Sequence, residues 1–294
     1  DYKKIQKIFS EFEPEIVFHL AAQPCVLASY DNPLQTFSSN IMGSVNILEA
    51  SRHTNSVKAV IMVTTDKVYK NNEWIYGYRE TDTIGGHDPY SSSKACMELV
   101  TESYRKSYSE SSHNELLIAS ARAGNVIGGG DWTENRIITD VIKAATKGEK
   151  VLLRNPKSSR PWQHVLESLS GYLLLGQKLH TNNLYAADSW NFGPALESNL
   201  NVEELIYLMG KKWEKISWKN VINANLGYES KALMVDSSKA NNLLGWRPVW
   251  DIENTIHHTI EWYRKYLEEN RVITEEQIEN YITDAKVNNC IWAM

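Results

Sequence analysis

The sequence predicts an α/β fold built on a Rossmann-like, doubly wound parallel sheet. Two observations carry this. Three short apolar runs without alternation, EIVFHLAA (15–22), VKAVIMVTT (57–65) and LLIASARAGNVIG (116–128), read as strands buried on both faces. Between them, residues 36–53 and 89–108 carry apolar residues at helical spacing. Strands joined by such helices form βαβ units, and their helices cover both faces of one sheet.

Taken in order, residues 1–12 open the chain as a helix with Ile5, Ile8, Phe9 and Phe12 on one face, and Pro14 precedes the first strand. Helix 36–53 directs Ile41, Val45 and Leu48 to one side. Asp88 offers an N-cap and Pro89 an N1 residue for helix 89–108, with Leu99, Val100 and Tyr104 expected inward. After GGGDW (128–132) the pattern changes, and short helices and irregular stretches are expected through 154–165. A helix is expected over 165–179, and SWNFGP (189–194) returns to the main sheet as a short strand. Asp236 and Gly245 bracket a short helix, and Asp251 caps a helical run at 251–267. The expected division is a cofactor domain of 1–130 with 165–194, and a smaller mixed substrate-binding domain of 131–164 with 195–294.

Composition narrows the function. A chain of 294 residues, 42% hydrophobic, has enough apolar side chains for a sizeable core. A formal charge of −5 and the lack of any Lys/Arg run argue against nucleic acid as a partner. No apolar run approaches the ~18 residues of a membrane span. Cys25, Cys96 and Cys290 are scattered, as expected for a reducing cytoplasm. There is no HExxH, and His257 and His258 are adjacent, a spacing that argues against two ligands on one helical face, so no metal is expected.

Ligands of open α/β sheets bind outside the carboxyl ends of the strands. Thr65, Asp66 and Lys67 stand at such an end. Tyr90 and Lys94, in YSSSK, are spaced i, i+4 and leave one helical face. An ammonium near a phenol favours phenolate, which can take an alcohol's proton while a nicotinamide takes its hydride. The YxxxK pattern alone is weak. A second copy, Tyr207–Lys211, reads as a decoy because no polar strand end precedes it. His19, in mid-strand, reads as a satisfied core histidine rather than a catalyst.

HLAAQ (19–23), Asn40 within SSNIMGSVNILEA, TTDKVY, YSSSK and RAGNVIGGGDW (122–132) together resemble the extended short-chain dehydrogenase/reductases that act on sugar nucleotides, over nearly the whole chain. Asp66–Lys67 and the stretches 76–91 and 155–175 are similar to the CDP-glucose branch of the 4,6-dehydratases. The resemblance implies NAD as cofactor and CDP-glucose as substrate. It implies oxidation at glucose C4 with Tyr90 as base, Lys94 lowering its pKa and holding the cofactor ribose, and Thr65 bonding near the C4 oxygen. Lys67 then assists removal of the C5 proton while Asp66 protonates the departing C6 hydroxyl, although either residue is a candidate for the C5 proton. Hydride returns to C6 and C5 is reprotonated, leaving a 4-keto-6-deoxy sugar. By the same resemblance Ala21, Ala22, Gln23 and Thr64 contact the cofactor, and Asn40 lines the floor of the site. Asn125, Arg136, Arg154 and Arg160 hold the substrate, the arginines at its diphosphate.

Two other readings stand beside it: an epimerase or reductase on the same fold, and a non-catalytic sugar-nucleotide-binding remnant. A homo-oligomer, dimer or tetramer, is implied through helices 36–53 and 89–108. No glycine-rich turn follows a first strand here, and in the family Asp1 would fall just after the third strand. The expectation is therefore a cofactor domain lacking its N-terminal half, with these 294 residues alone inactive or barely active.

Overall fold

The computed structural model describes residues 1–109, 116–195, 198–221 and 232–294, so residues 222–231 of the expected second domain lie outside the described part. The chain runs α1 (Tyr2–Phe12), β1 (Ile16–His19), α2 (Val26–Asp31), α3 (Pro33–Phe37), α4 (Gly43–Arg52), β2 (Ala59–Val63), α5 (Pro89–Tyr104), β3 (Leu117–Ala123) and β4 (Asn125–Ile127). It continues with α6 (Ile137–Lys147), β5 (Val151–Leu153), β6 (Ser159–His164), α7 (Val165–His180), β7 (Ser189–Phe192) and β8 (Asn199–Asn201). Last come α8 (Val202–Lys212), β9 (Trp218–Asn220), α9 (Ile252–Glu269) and α10 (Thr274–Val287).

The α/β class holds. Strands β1, β2, β3 and β7 form one all-parallel sheet in that order, with Ile16 beside Ala59, Ala59 beside Leu117, and Ser120 beside Ser189. On one face Phe9, Leu48 and Met97 pack against Val60, Met62 and Ile118. On the other, Tyr172 and Leu175 of α7 pack with Ile61, Ala119, Trp190 and Phe192. Helix α7 approaches this closely because a Cβ on Gly171 would lie 2.3 Å from the Phe192 ring, and one on Gly176 2.6 Å from that of Phe18. The expected caps are present: Asp88 accepts from Ser91 N (2.9 Å), Asp251 from Asn254 N (2.8 Å) and Asp236 from Ser238 N (2.7 Å).

Several expectations need correction. Strand β1 ends the sheet, so Ile16, Val17 and Phe18 are only half-buried. Ile8 and Phe12 are exposed, with Phe9 alone of α1 buried. Leu99 is 57% exposed, because α5 turns Lys94, Met97, Glu98 and Thr101 inward and Leu99 lies about 100° round the helix from Glu98. The run 116–128 is two strands. It breaks at Gly124, and β4 leaves the parallel sheet to pair with β6, which pairs in turn with antiparallel β8. Strand β6 replaces the irregular stretch expected there. Its sequence, SRPWQH, has no β-branched residue, yet all but Ser159 are buried.

A second apolar cluster gathers Ile138, Val141 and Ile142 of α6, Trp162, Leu205 and Met209 of α8, and Ile256, Ile260 and Tyr263 of α9. Ala240, Leu244, Trp246 and Trp292, from the far end of the chain, pack instead with α7 and β7. No helix among the described residues is long and apolar enough to cross a membrane.

Candidate active site

A cleft of about 1040 Å³ opens between the carboxyl ends of β2 and β3 and the α6–β5–β6 region. Where β2 ends, Thr65 is extended and caps a single 3-10 turn, Asp66–Val68. That turn swings Asp66 inward and Lys67 along the wall. Asp66 is 0% exposed. Its Oδ1 accepts from Thr65 Oγ1 (3.0 Å) and Lys67 Nζ (3.1 Å), while its Oδ2 has no partner among the described residues. Lys67 Nζ also reaches Asn125 Oδ1 at 3.4 Å. Room for the carboxyl comes from Gly124, where a Cβ would lie 3.3 Å from Asp66 Oδ2 and 2.6 Å from Pro161 Cγ. A buried carboxyl oxygen without a partner is costly unless something else meets it.

The second group comes from the first turns of α5. The Tyr90 phenol and the Thr65 hydroxyl line the same cleft and influence one another, so the two parts of the site meet. Burial pushes this phenol up to about 12, with Thr65 acting in the opposite direction. Lys94, expected to lower it, donates its Nζ to the Val63 carbonyl at 3.1 Å instead. Burial brings the Lys94 ammonium down to about 8, partly offset by Glu98.

The remaining expected residues fall into three groups. Ala22, Thr64, Asn125, Arg136, Arg154 and Arg160 line the cleft with Thr65, Lys67, Tyr90 and Lys94. Arg136 and Arg154 are exposed within it, Arg136 in contact with Asp131 (3.3 Å), whereas Arg160 is buried and donates to Ser159 O. Gln23 and Asn40 stand behind the wall. Asn40 Oδ1 accepts from Gln23 N (2.8 Å), and its Nδ2 donates to Gln23 O (3.1 Å) and Ser93 Oγ (2.8 Å), tying the 20–24 loop to α5. It does so from a π-turn, Ser38–Met42, between α3 and α4; the sequence read this stretch as plain helix. Ala21 is exposed and outside the cleft.

His19 is buried and neutral, held down to about 4 by burial and then by Lys94, but its Nε2 lacks a partner among the described residues, so it is not a satisfied core group. Tyr207 and Lys211 meet as a surface cation–π pair (4.5 Å) away from the cleft. His257 and His258 do converge, contrary to the spacing argument, and with Glu261 put three ligand atoms within 4.8 Å of one another, outside the cleft.

Sequence reasoning missed a buried ion pair under the site. Glu98 accepts from Arg122 Nη2 (2.9 Å), Ser120 Oγ (2.6 Å) and Thr64 Oγ1, and Arg122 Nη1 donates to Tyr69 OH (2.8 Å). The signal was a lone arginine inside the apolar strand LLIASARA, which needs a buried partner.

The family model described as GDP-mannose 4,6 dehydratase matches residues 1–259. The chain belongs to that family. Membership places it among the nucleotide-sugar 4,6-dehydratases, which are hydro-lyases. It is similar to the CDP-glucose 4,6-dehydratase of Salmonella typhimurium, 42% identical over 289 residues, covering 96% of this chain and 80% of the relative. Among solved structures it resembles the UDP-glucose 4-epimerase of Thermotoga maritima with UDP-glucose (TM-score 0.78, 25% identity, 91% of this chain and 82% of that one). The Thermus thermophilus UDP-glucose 4-epimerase in complex with NAD shares the fold (TM-score 0.78, 23% identity, 90% and 82%).

Proposed function

We propose that this chain carries the active site of an NAD-dependent dehydratase that converts CDP-glucose to CDP-4-keto-6-deoxyglucose. The observation that carries the reading is the buried Asp66 carboxyl paired to Lys67, one oxygen unpartnered among the described residues, beside Thr65 and Tyr90 in the cleft. An epimerase moves no oxygen from C6 and has no use for an acid there. The likeness to the Salmonella enzyme supports the cytidine nucleotide.

The residues of the cleft fit NAD. The small side chain of Ala22 permits close approach, Asn40 fixes the Gln23 backbone, and Lys94 lines the cleft with one acceptor among the described residues for its three donors. When bound, NAD supplies the acceptor for the C4 hydride and its return to C6. Tyr90 takes the C4 hydroxyl proton, with Thr65 orienting both oxygens. Asp66 and Lys67, 3.1 Å apart, between them remove the C5 proton, protonate the departing C6 oxygen and return a proton to C5 as hydride reaches C6. Arg136, Arg154 and Arg160 hold the diphosphate, and Asn125 keeps Lys67 facing the ring. The cofactor-binding part comprises 1–130 with 165–194, and the substrate-binding part 131–164 with most of 195–294. Exposed Met42 and Leu99, within 36–53 and 89–108, support a homo-oligomer, read by sedimentation. Three cysteines without disulfides suit a cytoplasmic enzyme.

The test is incubation of the protein as encoded by its gene with CDP-glucose and NAD, followed by mass spectrometry. A product lighter by one water supports the reading. An isomer of unchanged mass refutes it in favour of epimerisation, and no conversion favours the non-catalytic reading.

A further inference from the structure

The buried pair Glu98–Arg122 lies at the junction of every element that carries the chemistry. Both side chains are only 2% exposed. Glu98 sits one turn beyond Lys94 on α5 and receives the hydroxyl of Thr64, the residue before Thr65. Arg122 donates to the hydroxyl of Tyr69, two residues after Lys67, and to the Glu80 carbonyl (3.2 Å). Its guanidinium lies 5.1 Å from the Tyr69 ring centre, and Tyr69 OH donates to Asn191 Oδ1 (2.7 Å) on β7. The segment Thr65–Asp66–Lys67 is therefore bracketed on both sides by one ion pair, which also holds the helix bearing Tyr90 and Lys94.

We propose that Glu98 and Arg122 are positioning residues of the dehydratase, a clamp that keeps the Tyr90–Lys94 and Thr65–Asp66–Lys67 groups in register. The inference rests on the function proposed above. A buried ion pair is weak evidence for stability, since apolar residues of like volume often replace one without loss. Specific geometry at both ends is what the pair adds. Displacement by about 1 Å at a reacting centre costs on the order of a hundredfold in rate. The carboxylate has an electrostatic role as well. Lys94 faces Glu98 on α5, His19 on β1 and the Val63 carbonyl of β2, and Glu98 is the group that favours its ammonium.

Three variants test this on the protein as encoded: Glu98→Gln, which keeps shape and removes charge; Arg122→Lys, which keeps charge and removes the fork; and Tyr69→Phe, which removes one hydroxyl. Each is followed by kcat, KM and melting temperature, with wild type in parallel, and Lys94 is titrated by NMR of its ζ nitrogen. Expected are folded variants with kcat lowered at least about tenfold, KM within about threefold, and Lys94 titrating at lower pH in Glu98→Gln. Folded Glu98→Gln with wild-type kcat and an unmoved Lys94 titration overturns the clamp. If Glu98→Gln does not fold, Tyr69→Phe decides by the same kcat criterion. A wild type that forms no 4-keto sugar sinks the proposed function instead, and the Lys94 titration then judges the clamp by itself.

Discussion

Replacing Asp66 by Asn separates the acid from everything else at the site. Asn is isosteric, and its carbonyl can still accept from Thr65 and Lys67 at the distances held by Oδ1, 3.0 and 3.1 Å. The amide takes the place of Oδ2, which has no partner among the described residues, so no hydrogen bond is lost there. The substitution breaks the ion pair with Lys67 and buries two amide donors at that place, so stability falls by about 1–3 kcal/mol while the protein stays folded. The chemistry suffers because an amide cannot protonate a leaving hydroxyl. Loss of a positioned general acid costs about 10²–10⁴ in rate, about 3–5 kcal/mol of barrier. The assay is water loss from CDP-glucose by mass spectrometry, with melting temperature and substrate affinity measured alongside. Elimination slowed by less than tenfold in a folded, substrate-binding Asp66→Asn protein refutes the assignment of Asp66 as the acid.

Tyr90→Phe removes the C4 base and should lower kcat by about 10²–10⁴ while substrate affinity changes little, read by steady-state kinetics. Gly124→Ala forces a methyl to within 2.6 Å of Pro161 Cγ and 3.3 Å of Asp66 Oδ2, so calorimetry should show a loss of about 1–3 kcal/mol, accompanied by lower activity. His19 and His164 are buried neutral, held down to about 4 and about 3. The unfolded chain takes up their protons from about pH 6.5 downward. It then binds more protons than the folded state, so stability falls as pH drops from about 6.5 towards 4. His19→Gln should flatten that slope in a series of melting curves, and an unchanged slope would count against the buried neutral imidazole.

The parallel strands were legible because double burial leaves an unbroken apolar run, and their ends were legible because that run stops at polar residues such as Thr65–Lys67. Tyr90 and Lys94 were legible from a spacing, and Asp88, Asp236 and Asp251 from capping chemistry, all local signals. What was missed depends on partners far along the chain. Leu99 faces outward because the inward stripe of α5 is set by Glu98, whose partner Arg122 comes 24 residues later. The switch of sheets at Gly124 is decided by Pro161 and Asp66 packing against it, which no window around 116–128 contains. The π-turn at Asn40 follows from its bonds to Gln23 and Ser93 rather than from helix propensity. The lowered Tyr90 pKa was a two-residue argument, whereas burial of the whole phenol governs it in this chain.

The central claim, that one site takes hydride from C4, expels water across C5–C6 and delivers the same hydride to C6, is tested most directly with CDP-glucose carrying deuterium at C4. Reaction in ordinary water with NAD, read by NMR of the product, should place the deuterium on the new C6 methyl group of a 4-keto-6-deoxy sugar. Deuterium returned to C4 of an intact hexose, or lost to solvent with the C6 oxygen still present, would contradict it.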